Sequence, residues 1–368
     1  MPLLTEIDTP ALVLDRARLA ANGRRMLDRA VALEVALRPH VKTIKSVEAL
    51  RHALPQVTAI TVSTLAEAEH FAAAGYRDIL YAVGIVPAKL PRVARLRAQG
   101  VALQVVLDSL AAAELLDLPG LPVLIEIDSG AHRGGIAPDD PALLAIARRL
   151  TAGGQRLAGV MTHAGHSYRA GDVMEIQAIA AQERDAAVEA AFRLAQAGLP
   201  CPVVSVGSTP TALFATDLSG VTEMRPGAFL LMDAFQAGLG CCGDESLAVS
   251  VVASVVGRRL DEGLVLIDAG GLALSQDRST AGQPLDAGYG LVGPLDGPPW
   301  PGARVARVNQ EHGFVTFARP ADAARLSIGA RVRVWPNHAC MTAAAYPAYR
   351  VTEGGDAVVA EWPRVNHW

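Results

Sequence analysis

Between residues 35 and 233 a short apolar, β-rich run alternates eight times with a stretch of helical pattern. The runs are ALRPHVK (36–42), AITVST (59–64), DILYAV (78–83), ALQVVLD (102–108), PVLIEID (122–128), LAGVMTH (157–163), PVVSVG (202–207) and FLLMD (229–233), the last possibly entered by EMRPG. Between them lie segments such as STLAEAEHFAAAG and VMEIQAIAAQERDAAVEAAFRLAQAG, the second stopped by Gly198 and Pro200 as a helix C-terminus should be. Such repeats are the pattern of parallel βα units, and eight of them over roughly 200 residues favour a closed (β/α)8 TIM-like barrel over an open doubly wound sheet. After residue 245 the texture changes to SLAVSVVASVVG, LVLIDAG, ARVARVN, GFVTFA, ARVRVW and AVVAEW, broken by Gly, Pro and Asp. This predicts a C-terminal all-β domain. ALVLD, residues 11–15, precedes the first barrel unit and is expected to pair with that domain. The expected division is therefore a barrel over 16–240 and a β-domain built from 1–15 plus 241–368.

A chain of 368 residues, 51% hydrophobic, has ample core for this architecture. Its net charge of -4, with no block of like charge, offers no footprint for nucleic acid or an anionic membrane surface. No run approaches a membrane span, and MPLLTEIDTP has acids where a signal peptide needs a basic region. Four cysteines, two of them adjacent, do not make a disulfide framework. Together these point to a cytoplasmic protein working on small molecules.

Of the 33 basic residues only three are lysines, Lys42, Lys45 and Lys89, and two of these share the stretch RPHVKTIKS. In a strand the two-residue period puts Arg38, His40 and Lys42 on one face. Lys42 falls at the strand's C-terminal end, where barrel enzymes carry their chemistry. An amine in a cationic, partly buried site can attack a carbonyl, which guanidinium cannot. Lys45 reads as a surface lysine beside Ser46, a good N-cap for SVEALRHAL.

A second cluster, SVGSTPT (205–211), ends the seventh run and is followed by RPGAF (225–229). Small residues after strands seven and eight are the usual phosphate site of barrels. A phosphate site opposite a carbonyl-reactive lysine implies pyridoxal 5'-phosphate. A third cluster is PNHAC (336–340): in an extended segment His338 and Cys340 point the same way, and imidazole plus thiolate favours zinc, with positions left open for water and substrate. GLGCCG (238–243) matches GxGxxG but leads into a β run, so a dinucleotide reading is rejected.

With these motifs in order, the chain resembles the fold-type III, alanine racemase-like pyridoxal phosphate enzymes of the D-threonine aldolase and D-serine dehydratase family. The carriers are TPALVLD, RPHVKT, STLAEAE, EIDSGAHRGG, THAGHSY, SVGSTPT, EMRPGAF, IDAGGLALSQD, QEHG and PNHAC, nearly end to end. The resemblance implies that Lys42 forms the Schiff base and removes the α-proton, that Arg133 contacts the cofactor's phenolic oxygen, that His163 lies against the pyridine ring, and that Tyr168 is near the ring nitrogen. It implies a phosphate held by Gly207, Ser208, Thr209, Gly227 and Ala228, a divalent metal, zinc ahead of manganese, on His338 and Cys340, and a homodimer. Ile44 departs from the family's KTHK.

The expected activity is that of a lyase on β-hydroxy-D-amino acids. Elimination from D-serine or D-threo-3-hydroxyaspartate to an oxo acid and ammonia is slightly preferred, because the dehydratases of the family pair histidine with cysteine. Retro-aldol cleavage to glycine and an aldehyde, as in D-threonine aldolase, is nearly as well supported; an amino-acid racemase and a non-catalytic pyridoxal phosphate-binding protein are the remaining alternatives.

Overall fold

The computed structural model describes residues 1–368, in two compact units: residues 25–45, 56–227 and 365–368 form one, and residues 1–24, 46–55 and 228–364 the other. Strands are numbered along the chain, beginning with β1 (Ala11–Asp15) in the second unit.

The first unit is the expected parallel barrel. Its strands are β2 (Ala36–Leu37), β3 (Ala59–Val62), β4 (Asp78–Gly84), β5 (Ala102–Leu107), β6 (Pro122–Ile127), β7 (Arg156–Thr162), β8 (Val203–Val206) and β9 (Glu223–Met224), hydrogen-bonded in the order β2-β9-β8-β7-β6-β5-β4-β3. The seam between β2 and β3 is closed by a parallel bridge from His40 to Thr61. Val41 N–H donates to Thr61 O at 2.9 Å and Thr61 N–H to Pro39 O at 3.0 Å. One apolar cluster runs across four successive strands through Leu80, Val106, Leu124, Ala158 and Met161, all nearly inaccessible. The helix Val173–Gln196 starts on Asp172, whose side chain accepts from Glu175 N–H, and is followed by Gly198 at φ +73, a left-handed conformation that glycine takes without strain.

Two strand expectations are corrected. ALRPHVK is not continuous: Arg38 N–H donates to Met224 O, but the donor that Arg38 O would next need is Pro226, which has no N–H, so β2 ends at Leu37, one bridge follows at His40, and residues 41–44 turn. FLLMD is not the eighth strand. Glu223–Met224 is, and after Pro226 and Gly227 the chain coils into a 3-10 turn, Ala228–Leu230. Phe229, Leu230 and Leu231 are fully buried, so apolarity on every side hid the period that separates a strand from a turn.

The second unit holds a nine-stranded sheet containing β1 and β10 (Val249–Arg259), β11 (Leu264–Ile267), β12 (Gly290–Gly293), β13 (Arg304–Val308), β14 (Gly313–Thr316), β15 (Arg331–Pro336), β16 (Ala348–Thr352) and β17 (Ala360–Pro363). β1 lies between β10, antiparallel, and β16, parallel. Strands β12 and β16 were not read from the sequence, being short and rich in Gly, Ala or Arg. No helix is long and apolar enough to cross a membrane.

Candidate active site

The barrel's candidate residues sit where strands end. Lys42 follows the His40 bridge, its side chain exposed. Arg38 and His40, expected on the same face, are buried and do other work. Arg38 Nε donates to Glu223 Oε2 at 2.8 Å and its two terminal nitrogens to Asp78 at 2.8 and 3.1 Å. Ser205 Oγ donates to Glu223 Oε1 at 2.7 Å and receives Arg225 Nε at 2.6 Å, so one polar chain threads from β4 to the segment after β9. Burial, then the charges of Lys42 and Arg225, hold His40 well below the ordinary histidine range.

His163 follows β7. Burial lowers its pKa to about 3, and the nearby charges of Lys42, Arg133 and Arg225 push the same way. It is therefore a neutral imidazole at any working pH. Its Nδ1 lies 3.4 Å from Gly207 O, and its ring is 6.2 Å from that of Tyr168, tilted by 45°. Arg133, 60% exposed, pairs with Glu126 Oε1 at 3.2 Å. Lys42, Arg133, His163, Tyr168 and Gly207 thus form one neighbourhood.

The GSTPT loop is supported from below by Glu183, which the sequence reading missed. This fully buried carboxylate accepts Ala164 N–H at 2.8 Å and Gly207 N–H at 3.1 Å on Oε1, and Thr211 Oγ1–H at 2.7 Å on Oε2. Burial raises its pKa despite these donors. Ser208 caps the short helix Thr209–Phe214 and sits 2.8 Å from Ser167 Oγ. Gly207, at φ +115, is in a region that side-chain-bearing residues rarely enter. A Cβ on Gly227 would stand 2.7 Å from His40 O and 3.3 Å from Thr43 Oγ1. Ala228, next in the chain, opens the 3-10 turn. The glycines thus keep the loops drawn tight against the strand ends.

In the second unit PNHAC is not extended throughout. His338, with extended backbone, is the N-cap of a short helix, Ala339–Ala343, because the buried Asp233 Oδ2 accepts Ala339 N–H at 2.9 Å and starts the turn. His338 and Cys340 nevertheless meet through their side chains. His338 Nδ1 lies 2.8 Å from Asp277 Oδ2. Burial works to lower the His338 pKa, but the hydrogen bonds to Asp277 and Cys340 push it up to about 11; the same pair holds Asp277 far below the usual carboxylate range. Asp277 and Asp233 lay within quoted motifs but were not singled out. The D-x-S spacing of Asp277 and Ser279, an Asx turn, is the signal that marks the first.

A parallel barrel with an exposed lysine after its first strand, together with a β unit formed by the C-terminal residues and β1, is the architecture of the alanine racemase-like proteins. Residues 14–234 match the alanine racemase N-terminal domain family, and residues 248–352 the putative serine dehydratase domain. The chain is 47% identical over 377 residues to the D-threo-3-hydroxyaspartate dehydratase of Delftia sp. strain HT23, covering 99% of each. It is 30% identical to a D-threonine aldolase of Arthrobacter sp., over 91% of this chain and 86% of that one. Its fold superposes on a cysteine-to-alanine mutant of D-threo-3-hydroxyaspartate dehydratase in the metal-free form, with a TM-score of 0.96, 46% identity and full coverage of both chains. The chain belongs to the D-serine dehydratase and D-threonine aldolase family of fold-type III pyridoxal phosphate enzymes. It is accordingly a pyridoxal phosphate-dependent lyase of a family that also uses a divalent metal.

The residues present fit both groups. An exposed amine, an exposed guanidinium, an uncharged imidazole and two tightly packed glycine-containing loops suit an anionic aromatic aldehyde with a phosphate. An imidazole touching a thiol is a donor pair for a borderline metal, and no third histidine, cysteine or carboxylate joins them as a group of metal ligands.

Proposed function

We propose that this lyase removes water from a β-hydroxy-D-amino acid of the D-threo-3-hydroxyaspartate or D-serine type, giving an oxo acid and ammonia. The observation that carries the reading is the His338–Cys340 contact in a chain 47% identical, end to end, to a D-threo-3-hydroxyaspartate dehydratase. When bound, pyridoxal phosphate supplies an electron sink for charge developing at the α-carbon, and the metal a Lewis acid for the β-hydroxyl.

The roles assigned to the chain's own residues are those that the family resemblance implies. Lys42 would be the amine that holds the cofactor covalently and, once released by the substrate's amine, takes the α-proton. Arg133 is directed to the phenolic oxygen, and the neutral ring of His163 to the pyridine face. Tyr168 is assigned to the ring nitrogen, where a phenol imposes no full positive charge. Gly207, Ser208, Thr209, Gly227 and Ala228 hold the phosphate, and His338 and Cys340 the metal. Imidazole with thiolate makes zinc the metal of choice, with manganese as the alternative. Cofactor binding falls to residues 16–240, and metal binding to the β-domain of 1–15 plus 241–368. A homodimer in the cytoplasm completes the reading, a reducing compartment suiting a thiolate ligand.

Retro-aldol cleavage is the second reading, supported by the D-threonine aldolase relative. Incubation with D-threo-3-hydroxyaspartate, D-serine and D-threonine, with and without chelator, separates the two. Oxo acid and ammonia, lost on chelation, are expected. Glycine with an aldehyde would establish the aldolase; enantiomer exchange, a racemase; and no turnover, a binding protein.

A further inference from the structure

We infer that Asp277 is a positioning residue for the metal: its carboxylate fixes the tautomer and direction of the His338 ring, leaving Nε2 as the nitrogen that coordinates. The inference rests on the reading that His338 and Cys340 bind the metal, and concerns a residue that acts through His338.

The carboxylate is set before histidine meets it. Asp277 Oδ1 accepts Ser279 N–H at 2.7 Å and also the Ser279 hydroxyl, which leaves Oδ2 turned toward His338 Nδ1 at 2.8 Å. The backbone is fastened as well: Asp277 O accepts Asn337 Nδ2–H at 2.7 Å, so the carbonyl and carboxylate of one residue hold the consecutive side chains of Asn337 and His338. Between the two ligands in the chain, Ala339 N–H is held by Asp233 Oδ2 at 2.9 Å. An ionised carboxylate only accepts, so the nitrogen facing it must carry the hydrogen. In a neutral imidazole the lone pair is then on Nε2, and the negative charge beside Nδ1 makes Nε2 a stronger donor. The opposite tautomer would put a hydrogen where the metal must bind.

The test uses the pyridoxal phosphate-loaded, metal-depleted protein, titrated with zinc against a chromophoric chelator. Asp277→Ala and Asp277→Asn should each weaken zinc binding about 10- to 100-fold, while the visible absorbance of the bound cofactor stays as in the parent. An amide can donate to Nδ1 and so favour the wrong tautomer, which is why Asp277→Asn, the smaller change, decides the matter if Asp277→Ala fails to fold. In the zinc-loaded parent, two-bond ¹⁵N–¹H correlation should find His338 Nδ1 protonated, with His338→Ala assigning the signal; a packing role for Asp277 would not dictate that tautomer. Zinc affinity of Asp277→Asn within about threefold of the parent, or a protonated Nε2 in the loaded parent, would overturn the inference. Parent-like affinity in His338→Ala would instead remove the metal assignment on which it rests.

Discussion

Lys42 and Lys45 look alike in the sequence and have unlike surroundings. Lys42 is exposed after the barrel's first strand, whereas Lys45, at φ +47, sends Nζ to the fully buried Glu67 Oε1 at 2.5 Å. Glu67 also accepts Ser63 N–H at 2.7 Å. The surface role expected of Lys45 is therefore replaced by a structural one: it pairs with a carboxylate shut away from the surface. Lys45→Ala should destabilise the protein by about 3 kcal/mol, because a buried charge loses its partner, and Lys45→Ala with Glu67→Gln should recover part of that loss in chemical denaturation. Additive losses would show that the pair is not coupled. The proposal of a reactive amine at position 42 comes from the sequence, since arginine cannot do that chemistry. The partner of Lys45 was not, because nothing local in STLAEAE says that Glu67 points inward.

At the scale of elements, the repeat of strands and helices was readable because each buried face keeps its period. It failed where the neighbouring Pro226 broke the ladder of ALRPHVK, and where the period drowned in the all-apolar FLLMD. The site was readable to the extent that its residues sit in contiguous motifs. Glu183 and Asp277 escaped because their partners are remote: Asp277 meets His338 across 61 positions, and only the folded sheet brings them together. Glu183 illustrates what such residues do, since from the middle of one helix it fastens the chain after β7, the chain after β8, and the helix that follows. Glu183→Ala should cost about 3 kcal/mol by orphaning buried donors. It should also weaken cofactor retention, read as loss of visible absorbance on dialysis, and retention equal to the parent would refute a role in shaping that loop.

For the whole molecule, the two units carry histidines shifted in opposite senses. His163 has a folded pKa of about 3, below the 6.5 of an unconstrained histidine, so between these values the unfolded chain binds the extra proton and stability falls as pH drops from 6.5. His40 adds to this, being lowered for the same reason. In the metal-free protein His338 is raised to about 11, so its contribution is complete below 6.5 and disappears as pH climbs through 11. Melting temperatures of metal-free protein across this range should drop at both ends. His338→Asn should selectively soften the alkaline decline, and an unchanged profile would contradict the assignment. One further consequence belongs to the seam of the barrel. The two hydrogen bonds between residues 39–41 and Thr61 zip the sheet shut, and the next residue is the proposed anchor of the cofactor. Occupancy and closure thus share a single hinge of chain: breathing of that zip would swing the tethered group, and a tethered group would in turn keep the zip from opening.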